Sequence, residues 1–143
     1  MGFTVNGLDE LGLTIKELAE IPNEVVAAML EAQANVLLPK LRDAAPVETG
    51  KLKMSIKEMP KKDKNGRPII DIYPSGTHHR YKTRQGGSRA ASANDVGFVN
   101  EFGAPARGIK GTGWMRLTVE SYADEANAAA LDVYDKYLAS KKL

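Results

Sequence analysis

The chain has 143 residues, of which 43% are hydrophobic and 27% charged, and it contains no cysteine. This size and composition are typical of one globular domain with an ordinary core, so we expect residues 1–143 to form a single domain. The lack of cysteine excludes disulfides, thiolate metal ligands and cysteine nucleophiles. No apolar run reaches the ~20 residues that a membrane-spanning helix needs, so we expect no membrane partner.

The net charge of +2 hides an uneven distribution along the chain. Residues 1–50 hold three basic and eight acidic residues, whereas residues 51–90 hold eleven basic and three acidic residues. Such a basic segment indicates an anionic partner, which is either DNA or the acidic surface of a neighbouring subunit. The alternative is a solvated hairpin whose lysines protect a sheet edge. The candidate subunit-facing or DNA-facing residues are Lys51, Lys53, Lys57, Lys61, Lys62, Lys64, Arg67, Arg80, Lys82, Arg84 and Arg89.

The first third of the chain favours helix. Residues 3–7 alternate as in a short strand, and apolar residues then recur at three- and four-residue steps over 8–18. Pro22 is suited to the start of a long helix over 22–44, where a missing N–H costs little. Pro39 lies inside that helix and is expected to kink it or split it near Asn35. Pro46 is expected to end it.

The middle of the chain favours strands. Leu52, Met54 and Ile56 alternate with polar residues, which predicts a half-buried strand with lysines outward. Asn65-Gly66 is a hairpin turn pair, and a returning strand should follow it at 69–73. Residues 75–94 show neither helical nor strand periodicity, so we expect a mobile loop or arm that protrudes from the sheet.

The last third of the chain should contain one strand and one long helix. Alternation at 96–101 predicts a strand, which would end at Glu101-Phe102-Gly103 with a buried aromatic side chain. Trp114 should open a long C-terminal helix and pack near Phe102. The expected fold is therefore α+β, with a small antiparallel sheet of three to four strands packed against the 22–44 helix and the C-terminal helix. A basic hairpin and loop should protrude from it.

Candidate chemical sites in the sequence are weak. His78 and His79 are adjacent, and neighbouring side chains on an extended segment point apart, which disfavours chelation of one metal. The glycine-rich stretch 108–113 precedes a helix but lacks the P-loop spacing, so a flexible helix entry explains it better than phosphate binding. No nucleophile elbow or paired-carboxylate spacing is present. We therefore expect no enzymatic activity, no cofactor and no metal site.

Two motifs and their order resemble a known family. Residues 45–56 read Ala-Pro-Val-Glu-Thr-Gly-Lys-Leu-Lys-Met-Ser-Ile, residues 99–103 read Val-Asn-Glu-Phe-Gly, and residues 113–119 read Gly-Trp-Met-Arg-Leu-Thr-Val. This order resembles the HK-97-like gene-product-ten family of tailed-phage neck, head–tail joining and tail-completion proteins. The family's usual Pro-Phe-Leu-Arg-Pro-Ala helix entry lacks both prolines here. The residues that carry the family motifs are Pro46, Thr49, Gly50, Leu52, Ser55, Ile56, Glu101, Phe102, Gly103 and Trp114.

The resemblance implies a structural virion protein. Its expected role is a ring-forming neck, head–tail connector or tail-completion subunit that joins the capsid portal complex to the tail. A ring of six copies is favoured over one of twelve. The implied partners are further copies of the chain, the neighbouring head-connector and tail-tube or terminator proteins, and DNA in the central channel. The implied location is the neck or tail top of the virion, with assembly in the host cytoplasm. The alternative is a small nucleic-acid-binding protein that uses residues 51–90.

Overall fold

The fold is organised around two long helices that pack against each other. The computed structural model describes residues 3–5, 15–46 and 50–141. In chain order the helices are α1 (Ile15–Glu20), α2 (Asn23–Ala44), α3 (Lys51–Ser55), α4 (Ala93–Phe102) and α5 (Trp114–Lys141). The strands are β1 (Phe3–Val5), β2 (Ile56–Lys62), β3 (Pro68–Pro74), β4 (Thr77–Lys82), β5 (Ser88–Ser92), β6 (Gly103–Ala104) and β7 (Ile109–Lys110), with a 3-10 turn at Pro105–Arg107.

Helix α2 confirms the apolar stripe that the sequence predicts. The carbonyl of Pro22 accepts hydrogen bonds from the N–H groups of Val25 and Val26, which starts the helix. Of the two predicted effects of Pro39, the split near Asn35 is wrong, because the helix continues through Pro39 to Ala44. A kink at Pro39 stays a prediction. Pro39 is exposed, so water can satisfy the carbonyl that its ring leaves without a donor. The buried residues of α2 are Val26, Met29, Leu30, Gln33, Ala34, Leu37 and Leu41.

One antiparallel sheet packs on these helices. Its strand order is β1-β3-β2, with Phe3 opposite Ile72 and Ile56 opposite Pro74. In the predicted turn between β2 and β3, the Asp63 carboxylate accepts hydrogen bonds from the N–H groups two and four residues later. The α+β class and the three-stranded antiparallel sheet are therefore confirmed.

The residues just before β2 form a helix, so the strand predicted from Leu52 onward is wrong in its first half. Gly50 adopts a left-handed φ of 78° and precedes the single turn α3. Leu52 is buried, whereas Met54 is 79% exposed. The alternating apolar residues therefore do not share one face, and the strand begins only at Ile56.

Residues 75–94 are also more regular than predicted. Strands β4 and β5 pair antiparallel around the turn 83–87, where Gly86 has a φ of 84°. The N–H of Thr83 donates to the carbonyl of Gly87 and closes the turn. Most side chains of the hairpin are exposed, so neither face carries the apolar alternation that would have revealed a strand. The mobility of this segment in solution stays a prediction.

The last predicted strand is a helix instead. Ser92 accepts a hydrogen bond from the N–H of Asp95 at 3.0 Å and caps α4. Ala93, Gly97 and Glu101 are buried at four-residue steps, which is the helical rather than the strand period. The apparent alternation over 96–101 was thus a coincidence of a short segment.

The core lies between α2, α5 and the sheet. Ile56, Ile70 and Ile72 face it from the sheet, and Trp114, Met115 and Ala130 face it from α5. A partly buried polar contact crosses the helix pair, because the amide of Gln33 donates to the side-chain oxygen of Asn127 at 3.0 Å. Within the described residues, none of the helices combines the length and the apolarity that crossing a bilayer demands.

Candidate interaction surfaces

The Glu-Phe-Gly motif builds the start of α5. The buried Glu101 carboxylate accepts hydrogen bonds from the N–H of Met115 at 2.6 Å and from the N–H of Arg116 at 3.1 Å. Those two N–H groups have no partner inside the helix, and a negative charge at this end also suits the helix dipole. Glu101 therefore caps a helix that begins thirteen residues later in the chain. Sequence reasoning missed this role, because the contact joins residues fourteen apart in the chain.

The glycine of the motif is required by a close backbone contact. Gly103 has a φ of 82°, and a Cβ placed on it would lie 2.5 Å from the backbone nitrogen of Gly111. A Cβ on Gly111 would in turn collide with the backbone carbonyl carbon of Phe102. The pairing of β6 with β7 thus brings two backbones so close that neither position has room for a side chain.

The aromatic residue of the motif is exposed, which corrects the predicted burial. Phe102 is 61% exposed and Phe98 is 47% exposed. Their ring centroids lie 4.9 Å apart, one turn apart on the outer face of α4. Trp114, which was expected to cover Phe102, is itself buried in the core. An exposed aromatic pair of this kind is a candidate contact for another protein.

The first motif lies where α2, α3 and the sheet meet. The guanidinium of Arg42 donates two hydrogen bonds, at 3.1 and 2.9 Å, to the carbonyl of Ile56. The Ser55 hydroxyl donates to the carbonyl of Leu52 at 2.6 Å, and the Ser55 carbonyl accepts from the N–H of Ser75. Pro46 is half-buried, and Thr49 lies outside the described residues.

The structure divides the eleven basic candidates into two groups. The first group surrounds β2 and its turn, and part of it is used inside the chain. Lys61 pairs with Asp71 at 2.6 Å, and this hydrogen bond and charge raise the pKa of the lysine. Arg67 donates to the carbonyl of Ile21 at 2.8 Å. The first group comprises Lys51, Lys53, Lys57, Lys61, Lys62, Lys64 and Arg67.

The second group lies on the β4–β5 hairpin. Residues 75–94 contain four basic residues and no acidic residue. Arg80 donates to the Ser88 hydroxyl at 3.0 Å across the strands, and Tyr81 is 47% exposed. All four cations are exposed, so the hairpin presents a compact positive surface. The group comprises Arg80, Lys82, Arg84 and Arg89.

His78 and His79 approach each other, contrary to the prediction that they point apart. The strand register shifts at His78, and this irregularity brings the two Nδ1 atoms to 2.9 Å. One ring must carry the proton and the other must accept it. Over the residues that the structure describes, no group of three or more metal-ligating side chains is assembled.

A cleft of about 670 Å³ separates the hairpin from α4. We call it the hairpin–α4 cleft. Its walls combine aromatic and aliphatic groups, and Arg107 contributes a positive charge and Asp95 a negative one. The apolar residues of the cleft are Tyr81, Ala90, Ala91, Val96, Val99 and Ile109.

The outer face of α5 has the opposite charge. Residues 117–135 contain five acidic residues and no basic residue. The exposed residues here follow helical spacing, and Leu117 is 48% exposed among them. We call this surface the acidic stripe, and its members are Leu117, Glu120, Ser121, Asp124, Glu125, Ala128, Asp132 and Asp135.

Comparison with known proteins places this geometry in a family. The model of the family described as bacteriophage HK97-gp10 tail components matches residues 9–81, which is about half of the chain. The matched range runs through α2, α3 and the β2–β3 hairpin to the exposed hairpin strand β4. No curated protein and no solved structure matches the chain. Because this model matches half of the chain, the chain belongs to the HK97-gp10-like family of bacteriophage tail components.

Proposed function

We propose that the chain is a ring-forming neck, head–tail connector or tail-completion subunit that joins the capsid portal complex to the tail of a phage particle. The observation that carries the proposal is the family match over residues 9–81. The match gives a tail component, and the position at the neck is our inference from the resemblance. The favoured ring has six copies, and twelve is the alternative.

The exposed side chains support a role that depends on contacts with other proteins. Met54, Phe98, Phe102 and Leu117 are large apolar residues that remain 47–79% exposed in the folded chain. Exposed apolar groups that cluster, as Phe98 and Phe102 do, mark protein interaction sites. A ring subunit needs two unlike surfaces that complement each other. The β4–β5 hairpin, with its four exposed cations, and the acidic stripe are such a pair.

Disruption of the gene that encodes the chain tests the proposal. We expect mutant lysates to contain filled heads and separate tails, and we expect added purified chain to restore joined, infectious particles. A reconstruction of the complete particle should show a closed ring of this chain between portal and tail tube. Joined particles in the mutant, or one isolated copy per particle, would contradict the proposal.

A second candidate function is nucleic-acid binding by the hairpin. Four exposed cations and exposed Tyr81 on one hairpin favour it, because cations track phosphates and aromatic rings stack on bases. The discriminating measurement is duplex binding by the isolated chain at increasing salt. Steeply salt-dependent binding supports this candidate, and its absence supports an assembly protein.

A further inference from the structure

We propose that the acidic stripe of one copy docks against the β4–β5 hairpin and the adjoining hairpin–α4 cleft of the next copy, so that the chain associates head to tail. This inference rests on the proposed ring and names the two surfaces that build it. The occupant of the cleft is a second copy of this chain.

Charge complementarity is the first argument. The hairpin carries four cations without an acid, and the stripe carries five acids, of which Glu120 and Asp132 pair with the flanking Arg116 and Lys136. Within the described part of the chain, Lys82, Arg84 and Arg89 have no ion-pair partner, and neither do Asp124, Glu125 and Asp135. Opposite surfaces of this kind steer association and fix its orientation.

The positions of the two surfaces give the second argument. The hairpin packs on α4, and Glu101 in the last turn of α4 caps α5 at Met115. At 1.5 Å per residue, Asp124 and Asp135 lie about 14 and about 30 Å farther along α5. The stripe therefore extends away from the chain's own cleft. Two unlike patches at separate places on one chain produce heterologous contacts, which close into rings when the rotation permits.

The apolar content of both surfaces gives the third argument. Val96, Val99 and Ile109 line the cleft, and exposed Leu117 projects from the stripe. Aliphatic side chains offer a phosphate backbone neither a positive charge nor a hydrogen bond. A protein helix that carries an exposed leucine is stabilised when that leucine is buried against them. These features favour a protein helix over DNA as the occupant.

Sedimentation velocity of the wild-type chain is the first test. We expect concentration-dependent self-association at about 50 mM salt, and weaker association at about 500 mM, because ions screen the contact. A chain that stays monomeric at every concentration and at both salt levels would overturn the inference.

Charge reversal identifies the surfaces. The hairpin variant carries Lys82→Glu, Arg84→Glu and Arg89→Glu, and the stripe variant carries Asp124→Lys, Glu125→Lys and Asp135→Lys. Each variant alone should associate about tenfold or more weakly, because like charges then face each other. An equal mixture should regain association, because the two variants complement each other when they alternate. All six positions are exposed, and circular dichroism should confirm that both variants fold.

The matched control reverses three positive charges outside the β4–β5 hairpin. Lys57→Glu, Lys62→Glu and Lys64→Glu, in the first basic group, should leave the association constant within about twofold of the wild-type value. A control that weakens association as much as the hairpin variant would assign the effect to net charge and overturn the inference.

Two further outcomes separate this inference from its alternatives. A mixture that fails to associate, together with loss of duplex binding in the hairpin variant alone, would assign the hairpin to DNA and overturn the inference. A particle reconstruction with the chain at the neck and its copies joined through other surfaces would overturn it too, yet would leave the proposed function intact. A chain absent from the neck would instead contradict the proposed function.

Discussion

The carboxylate of Glu101 lies 2.6 Å from the backbone nitrogen of Met115 and thereby joins the last turn of α4 to the first turn of α5. Because it also accepts from Arg116, its removal leaves one buried and one partly buried N–H donor without a partner. Glu101→Ala should lower the free energy of unfolding by about 2–3 kcal/mol, measured by chemical denaturation. The control Glu120→Ala removes only an exposed pair with Arg116 and should cost less than about 0.5 kcal/mol. Equal costs for the two variants would contradict the capping role.

Alanine at Gly103 or Gly111 should be far more damaging than alanine at other glycines. Either Cβ would collide with backbone that cannot move aside, so we expect loss of about 3 kcal/mol or more, or failure to fold. Gly50→Ala meets nothing within 4 Å, and its left-handed φ alone should cost about 1–2 kcal/mol. Thermal melting of the three variants gives the comparison, and a Gly103→Ala protein as stable as Gly50→Ala would contradict the close approach.

Phe102→Ala should have little effect on stability. The ring is mostly exposed, so we expect a loss of less than about 1 kcal/mol from its contact with Phe98. The matched control is Leu30→Ala in the core of α2, which should cost about 2–5 kcal/mol. Melting curves of both variants, read together with head–tail joining, separate the roles. A large stability loss for Phe102→Ala would show that the Phe102 side chain belongs to the hydrophobic core.

The raised pKa of the Glu58 carboxyl should make the stability of the chain depend on pH. Burial raises the pKa of its carboxyl above the ordinary value, and the hydrogen bond and charge of Glu31 raise it further, while Arg42 lowers it. The folded chain therefore holds this proton more tightly than the unfolded chain does, so the stability contributed by protonated Glu58 is lost as the pH rises through the folded pKa.

Glu58→Gln mimics the protonated form at every pH. We expect the variant to gain stability over wild type at pH 7 and to lose that advantage near pH 4. Denaturation at both pH values measures the difference. Glu24→Gln is the control, because it lies exposed in the first turn of α2. A stability gain of Glu58→Gln that grows towards acidic pH would contradict a raised pKa of Glu58.

Limited trypsin digestion should cut first at Arg84. This residue lies in the exposed turn between β4 and β5, and an isolated two-stranded hairpin is only marginally stable. Arg89 lies in a strand and should be cut more slowly, and Arg116 lies in the first turn of α5 and should resist longest. First cleavage within α2 or α5 would contradict this order.

Elements with a continuous local pattern could be predicted from the sequence. The apolar stripe of α2 repeats over 22 residues, and Asn65-Gly66 specifies its turn without help from the rest of the chain. Short segments failed, because a few alternating residues fit a strand and a helix equally well. That ambiguity produced the wrong strand at 96–101, where α4 buries Gly97 and exposes Phe98.

The surfaces were harder to predict than the elements. The basic character of the hairpin is visible in composition, but its strand pairing is not, because both faces contact water. The capping role of Glu101 depends on an N–H group fourteen residues away, and no local pattern specifies such a contact. The acidic stripe could be read only after α5 had been placed with its buried face against α2.

The hydrogen bond between Gln33 and Asn127 fixes the longitudinal register of α2 against α5. Sliding one helix past the other by a single turn would separate these two partly buried amides and break their hydrogen bond. Apolar side chains alone would tolerate such a shift more readily, since one leucine can replace another in a groove. The α2–α5 pair therefore has one preferred longitudinal register, and a slip of one turn would break this hydrogen bond.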